Sequence, residues 1–144
     1  MKHRRAILLL SGLFGPLLLS GQGYFQQQVD YSIEVRLDDR SHTLHAHEAF
    51  TYQNNSNTTL DTIWIHLWPN AYRDRTTALC KQLDSHGDLD LHFATEEERG
   101  GIDSLDFHAD GAKAQWGHHP RHIDIGWIEL NTPLAPGQRV TIST

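Results

Sequence analysis

Histidine is the residue type in this sequence that most suggests metal chemistry. His45 and His47 are two positions apart in an alternating segment, so on a strand both side chains point the same way, as two metal ligands do. Glu48 points to the opposite face. Three further histidines fall in a later loop, His118, His119 and His122. Nothing in the sequence brings that loop to the strand, so a solvated histidine-lined face is the favoured alternative, and we assign no metal ligand.

Aromatic residues form a second candidate group. Trp64, Trp68 and Tyr72 could provide a surface on which a sugar or a peptide stacks. Aromatic residues at alternating strand positions belong more often to a core or to a domain interface, and we favour that interpretation.

Three weaker patterns receive no assignment. Asn54-Asn55-Ser56 and Asn57-Thr58-Thr59 match the acceptor pattern for N-glycosylation, which is frequent by chance and needs a eukaryotic secretory pathway. Glu96, Glu97 and Glu98 could bind calcium, although a solvated charged turn is the favoured interpretation.

The sequence lacks the common short catalytic motifs. It contains no HExxH, no GxSxG, no GxxxxGK[ST] and no CxxC. Its single cysteine, Cys80, excludes an internal disulfide and a four-cysteine zinc cluster. No two residues make a convincing nucleophile and base. We therefore predict no catalytic, cofactor-binding or metal-binding residue in this chain.

The composition is that of one ordinary domain or part of one. Of the 144 residues 38% are hydrophobic, enough for a core but too few for a multi-span membrane protein. There are 18 acidic residues against 12 basic ones, a formal net charge of -6. Because no basic stretch lies outside the first five residues, nucleic acid is not expected as a partner.

The first 23 residues have the order of a secretory signal peptide. A basic start with Lys2, Arg4 and Arg5 precedes an apolar run at positions 6–19, and the small residues of Ser20-Gly21-Gln22-Gly23 follow. The run has about fourteen residues, whereas a membrane span needs about twenty. The alternative is an uncleaved anchor. We expect cleavage near Gly21 to Gly23, a secreted or periplasmic location, and no membrane span after cleavage.

Strict alternation predicts strands early in the mature chain, residues 24–144. Residues 29–37 alternate apolar and polar side chains, and residues 43–52 resume the pattern after the turn at 38–41, which indicates an antiparallel hairpin. In residues 60–68 both faces carry large apolar side chains, which predicts a strand covered on both sides.

Later elements are shorter. We predict a surface helix within residues 71–83, a capping box at Thr95-Glu96-Glu97-Glu98, and strands at 102–108, 123–130 and 139–143. Turns are expected at 110–111, 131–133 and 136–137, and a β-bulge at Gly126, where the apolar phase shifts. The predicted class is all-β, an antiparallel β-sandwich or saddle-like sheet with one or two short helices.

Five segments carry a resemblance to a known family. They are Tyr52-Gln53-Asn54-Asn55-Ser56, His66-Leu67-Trp68-Pro69-Asn70-Ala71-Tyr72, Arg99-Gly100-Gly101-Ile102 with Thr76-Thr77-Ala78-Leu79, and Leu130-Asn131-Thr132-Pro133-Leu134-Ala135-Pro136-Gly137. With them the chain resembles the N-terminal β domain of gluzincin (M1-type) zinc metallopeptidases, in the exported bacterial branch of these aminopeptidases. The resemblance covers positions 29–144. One departure is Ala46, where the family commonly has glycine.

The resemblance implies a non-catalytic domain of a larger enzyme. The family's HExxH helix with its downstream glutamate, and its GxMEN-like loop, lie in the catalytic domain that follows and have no counterpart here. The resemblance thus implies a secreted or periplasmic zinc aminopeptidase as parent, with zinc in its catalytic domain and peptides as its substrate. This chain would pack on that domain and wall the substrate cleft.

An uncovered apolar face is a further consequence, and the Trp64 and Trp68 face is our candidate for it. Val140-Thr141-Ile142-Ser143-Thr144 stops within a strand pattern, so we expect a longer parent chain. Two alternatives remain open. One is a self-sufficient exported β-sandwich that binds a glycan, a peptide or a metal, and the other is a structural or interaction domain of an exported assembly.

Overall fold

Two antiparallel sheets dominate the computed structural model, which describes residues 25–144. The strands are β1 (Gln28–Asp38), β2 (Thr43–Gln53), β3 (Leu60–His66), β4 (His108–Ala109), β5 (Ala112–Lys113), β6 (Trp116–His119), β7 (His122–Leu134) and β8 (Arg139–Ser143). One sheet has the order β1-β2-β8-β4-β5 and the other β3-β7-β6. The predicted antiparallel all-β class is confirmed. The predicted signal peptide, residues 1–23, lies outside the described residues.

The hairpin of β1 and β2 is confirmed. Its register is continuous from the pair of Gln28 and Gln53 to the pair of Asp38 and Thr43. At the turn, the Asp38 carboxylate accepts a hydrogen bond from the backbone N–H of Arg40 at 3.0 Å. The backbone N–H groups of this turn hold the pKa of Asp38 below its ordinary value. Alternation over eleven residues fixes this register, because a one-residue slip would reverse both faces.

Strand β7 corrects two predictions. It runs through the predicted turn at 131–133, because Leu134 at its end still pairs with Leu60 at the start of β3. Against β3 the register shift falls between Leu60 and Thr62, and Gly126 lies in regular register opposite Ile65. Against β6 a register shift directly follows the pair of His118 and Gly126. A Cβ added at Gly126 would lie 3.2 Å from Ile65 and 3.3 Å from Leu67. Gly126 therefore allows close packing on β3 and forms no bulge there, and the irregularity next to it is in the pairing with β6.

The helices begin later than predicted. Pro69 lies in the first turn of a 3₁₀ helix, Trp68–Tyr72, and the α-helix that follows, α1, spans only Ala78–Ser85. The Thr77 hydroxyl caps α1 by accepting the backbone N–H of Cys80 at 3.2 Å. A second helix, α2 (Asp90–Phe93), was not predicted, because four residues are too few to show helical periodicity.

The predicted capping box is confirmed. It opens the short 3₁₀ helix Glu96–Glu98, where the Thr95 backbone N–H donates to the Glu98 carboxylate at 2.8 Å. That hydrogen bond lowers the pKa of Glu98.

The strand predicted at 102–108 is wrong except at its end, where β4 begins. Ile102 donates its backbone N–H to the Asn70 side chain at 2.9 Å, and Asp106 donates to the Thr144 hydroxyl at 3.1 Å. Ser104 has a φ of 56°, which interrupts an extended strand. Side chains therefore satisfy backbone groups that a neighbouring strand was expected to bond.

One hydrophobic core lies between the sheets. Its buried members come from both, as in a sandwich: Phe50, Ile63, Phe107, Ala109, Ala114, Ile128, Leu130, Leu134, Val140 and Ile142. Among the described residues, no helix is long and apolar enough to cross a membrane.

Candidate functional site

The hairpin carries an apolar face that the second sheet covers only in part. Residues paired across the hairpin share a face, so Tyr31, Val35 and Leu37 lie on the same side as Leu44 and Phe50. At the base of the hairpin Phe50 is 6% exposed and belongs to the core. At the tip Leu37 is 64% exposed and Leu44 is 65% exposed. The face thus passes from core to open surface along one pair of strands.

The strand of the opposing sheet that borders the groove, β3, is shorter than the hairpin. Strands β1 and β2 have 11 residues each, whereas β3 has 7. At about 3.3 Å per residue the hairpin is longer than β3 by roughly 13 Å. We call the space between them the interlayer groove, defined by Val29, Tyr31 and β2 on the hairpin side, by β3 with the following Trp68 and Pro69, and by residues 102–105. Its volume is about 710 Å³.

The predicted aromatic face contributes to this groove. Trp64 is 58% exposed and Trp68 is 60% exposed, and both line the groove. The rings of His66 and Trp68 lie 4.3 Å apart between centroids. The predicted exposure of the Trp64 and Trp68 face is confirmed, whereas the prediction that this strand is covered on both faces is wrong within residues 25–144. Tyr72 is also exposed but does not line the groove.

The groove contains little charge. Glu48 lies on the apolar hairpin face opposite Ile33, and Asp103 lies at the rim formed by residues 102–105. The Asp103 carboxylate accepts a hydrogen bond from the Ser104 hydroxyl at 2.9 Å, and neither Glu48 nor Asp103 forms an ion pair within the described part of the chain. The arrangement suits contact with an apolar surface, because most of its lining is aliphatic or aromatic.

The predicted histidine pair lies on the polar side of the hairpin, although His45 also borders the groove. His45 and His47 are opposite Arg36 and Glu34 on the polar side of the hairpin. Among residues 25–144 neither belongs to a group of three donors close enough to share one ion.

The loop histidines form a separate cluster. The rings of His119 and His122 stack at 4.9 Å, and Trp64 meets His119 edge-on at 6.0 Å. The Nδ1 atom of His118 lies 3.1 Å from the carbonyl oxygen of Ile123. The structure therefore brings two of the five candidate histidines into contact but does not bring the loop to the strand pair.

A buried asparagine connects two segments of the family resemblance. Asn54 is fully buried, and its amide nitrogen donates to the carbonyl oxygens of Thr58 at 2.8 Å and Leu134 at 2.9 Å. Its amide oxygen accepts the backbone N–H of Ser56 at 3.0 Å and the Ser56 hydroxyl at 2.6 Å. The backbone of Asn54 also pairs with the turn at 136–137, because Gly137 donates to its carbonyl at 2.7 Å. Tyr-x-Asn-x-Ser and Pro-Gly are thus parts of one loop junction.

A second buried asparagine connects two of the other segments, 66–72 and 99–102. Asn70 is fully buried, and its amide oxygen accepts the backbone N–H of Ile102 at 2.9 Å. Its amide nitrogen donates to the carbonyl oxygen of Ile123 at 3.3 Å. A Cβ added at Gly100 would lie 3.3 Å from Tyr72 Cβ, so the Gly-Gly segment packs closely on the 3₁₀ helix. Asn70 therefore fixes two walls of the interlayer groove, the segment at 102–105 and the end of β3.

The structure places the two N-glycosylation patterns and the glutamate cluster. The Asn54 amide is engaged inside the protein, so it is not accessible for glycosylation, whereas Asn57 is exposed. The carboxylate of Glu98 serves the capping box.

One grouping was missed from the sequence. Helix α2 brings His92 to Cys80 and Asp84 of α1. The spacing of four residues between Cys80 and Asp84 was the signal available in the sequence. Because α2 was not predicted, His92 could not be assigned to the same group.

Comparisons of the chain with protein-family models, with curated proteins and with solved structures gave no significant match.

Proposed function

We propose that this chain is the non-catalytic N-terminal β domain of an exported zinc aminopeptidase, and that its interlayer groove packs against the catalytic domain of the same polypeptide. The single observation that carries the proposal is the uncovered apolar groove. In this interpretation the parent enzyme removes N-terminal residues from peptides, with its zinc held in the catalytic domain, and this chain helps to wall the substrate cleft.

The groove has the energetics of a docking surface. Four of its large apolar side chains are 58–65% exposed: Tyr31, Leu44, Trp64 and Trp68. Complete burial of such a side chain contributes about 1.5–3 kcal/mol, so covering the exposed part would contribute roughly 1–2 kcal/mol each. Contiguous exposed apolar surface of this kind marks an interaction site.

The family resemblance also supports a catalytic domain as the partner that covers the groove. Four of its five segments meet in two junctions around Asn54 and Asn70, and the second junction shapes the groove wall. Buried, fully bonded amides fix loop geometry because an alternative loop conformation would leave their polar atoms unpaired. The residues that carry the resemblance are therefore the ones that hold the docking surface in shape.

The exposed tryptophans favour one competing function. Trp64 and Trp68 at the rim of a groove could stack on a sugar or hold a peptide in a self-sufficient exported binding module. The two functions differ in what covers these rings: a domain of the same polypeptide, or a free ligand.

Hydroxyl-radical footprinting of the natural polypeptide tests the proposal. The reading frame beyond the codon for Thr144 is expected to encode HExxH with a downstream glutamate. In that polypeptide Trp64 and Trp68 should be oxidised far more slowly than their intrinsic reactivity predicts. Phe93 is the internal control, since it is 74% exposed on α2 and does not line the groove. The present chain alone, supplied with zinc, should release no N-terminal residues from peptides.

Three results would contradict the proposal. They are a stop codon directly after Thr144, tryptophans that are oxidised as freely as their reactivity predicts, or chelator-sensitive release of N-terminal residues by this chain alone. Oligosaccharide binding that is lost in Trp64→Ala would instead support the binding module.

A further inference from the structure

Cys80, Asp84 and His92 form a compact group of three different ligand types. Cys80 and Asp84 are four residues apart on α1 and share one helix face. The chain reverses at Gly87, whose φ is +84°, and α2 then brings His92 back to α1. One donor atom from each residue lies within 4.8 Å of the other two. The group lies outside the interlayer groove.

The separations between the donor atoms are close to those between the ligands of a zinc ion. The Nδ1 atom of His92 is 3.0 Å from Asp84 Oδ2, and Cys80 Sγ is 3.9 Å from Asp84 Oδ1. Around a tetrahedral zinc ion, with metal–ligand distances of about 2.0–2.3 Å, the corresponding separations are roughly 3.3 Å and 3.5 Å. The two distances involve different oxygens of Asp84, and Cys80 Sγ and His92 Nδ1 lie within 4.8 Å of each other. Rotation of the Asp84 carboxylate and a closer approach of the other two donors would therefore accommodate the ion.

The donor set selects the class of metal. A thiolate, an imidazole and a carboxylate are all zinc ligands, whereas magnesium and calcium take oxygen ligands almost exclusively. The Cys80 side chain is buried beneath Asp84 and His92, which are both partly exposed, so an ion can reach the group from solvent.

Some of the charges around Cys80 favour a bound cation and one disfavours it. Burial, followed by the nearby Asp84 carboxylate, raises the pKa of the Cys80 thiol, and Arg99 opposes this effect. Zinc binding would displace the thiol proton to solvent and form the Zn–S bond. The Asp74 and Asp84 carboxylates near Cys80 favour a cation, while the Arg99 guanidinium disfavours it.

We propose that Cys80 Sγ, the Asp84 carboxylate and His92 Nδ1 bind one zinc ion, with water as the fourth ligand. The ion links α1 to α2. It replaces the direct contact between His92 and Asp84, which without metal is a hydrogen bond. This proposal is independent of the function of the groove.

Zinc titration of the full chain, without an affinity tag and under reducing conditions, tests the site by calorimetry. We expect one ion per chain. Cys80→Ser and His92→Gln should each weaken binding at least tenfold, the size of effect expected when one of three protein ligands is removed. His86→Gln is the matched control, because His86 is exposed at the end of the same helix and is not in the group. It should bind zinc as the unmodified chain does.

Cobalt provides a readout that does not depend on the stability of any variant. Co²⁺ added to the unmodified chain should give a thiolate-to-metal charge-transfer band, since Cys80 is the only cysteine. That band should be absent in Cys80→Ser and present in His86→Gln. The proposal is overturned if the unmodified chain binds no stoichiometric zinc or if its cobalt complex lacks the thiolate band. Zinc binding that survives Cys80→Ser but is lost in His45→Gln would overturn it as well, by assigning the metal to the strand histidines.

Discussion

Asn54 should be among the most sensitive positions for the stability of this chain. Its side chain makes four hydrogen bonds while fully buried, to Thr58, to Leu134 and twice to Ser56. Asn54→Ala removes all four. At about 0.5–1.5 kcal/mol per bond the sum is roughly 2–6 kcal/mol. Water can replace the bond to the partly exposed Thr58 carbonyl, so we expect a loss of about 2–4 kcal/mol in the free energy of unfolding.

The variant Asn54→Asp distinguishes the contribution of the buried hydrogen bonds to stability from that of packing. The new side chain has nearly the same shape, but it replaces two N–H donors with an oxygen that faces the carbonyls of Thr58 and Leu134. Burial raises the pKa of such a carboxyl above its unfolded value, so the folded variant binds a proton that the unfolded chain releases. Stability of this variant should therefore increase as the pH falls from about 7 to about 5.

Urea unfolding followed by circular dichroism measures both effects. Asn57→Asp is the matched control, because it makes the same chemical change at an exposed position of the same loop. We expect it to change the free energy of unfolding by less than about 0.5 kcal/mol, with little dependence on pH. If Asn54→Asp is as stable as Asn57→Asp at pH 7, the Asn54 amide is solvated and the loop junction inferred here is wrong.

Two further predictions concern a carboxylate and a glycine. Hydrogen bonds from Thr76 lower the pKa of Asp74 below its usual 3.8, so its stabilisation is present above that pH and is lost as the pH falls through the folded-state pKa. Asp74→Asn should cost about 0.5 kcal/mol at pH 7, after screening, and flatten the acid limb of a stability profile measured by urea unfolding. Gly117→Ala places a methyl 2.8 Å from the Trp127 ring and should cost about 1–3 kcal/mol in urea unfolding. Gly101→Ala, whose methyl meets no atom closer than 3.8 Å, is its control; equal costs would contradict the predicted clash.

The parts of the fold that were predictable share a long, regular pattern or a strong local signal. The hairpin alternates over eleven residues, which determines both the strands and their faces. Strand β8 and the turn at 136–137 followed from Pro136-Gly137 and the alternation after it. The conformation of residues 102–107 could not be predicted. This apolar segment does not pair with a strand, because the Asn70 side chain accepts the backbone N–H of Ile102. That contact spans 32 positions and has no local trace in the sequence.

The candidate site shows the same division. The exposure of Trp64 and Trp68 was expected from the family resemblance, but the contribution of the hairpin tip was not. Alternation identifies which face of a strand is apolar, and it does not reveal how far the opposing layer extends. That extent depends on the 7-residue length of β3 against 11 residues in the hairpin. The grouping of Cys80 with His92 was likewise hidden, because it depends on a helix of 4 residues.

In the first sheet, the residues that stabilise the fold differ from those that we propose for docking. Core residues such as Phe50 and Ile142, together with the amide of Asn54, hold the two layers in register. Leu37 and Leu44 at the hairpin tip already expose about three fifths of their surface, so most of the free energy of their burial is still unused when the chain folds. A surface of this kind can change to match a partner without destabilising the domain, because its contacts with the core are few. This separation agrees with the proposed packing of a further domain over the groove.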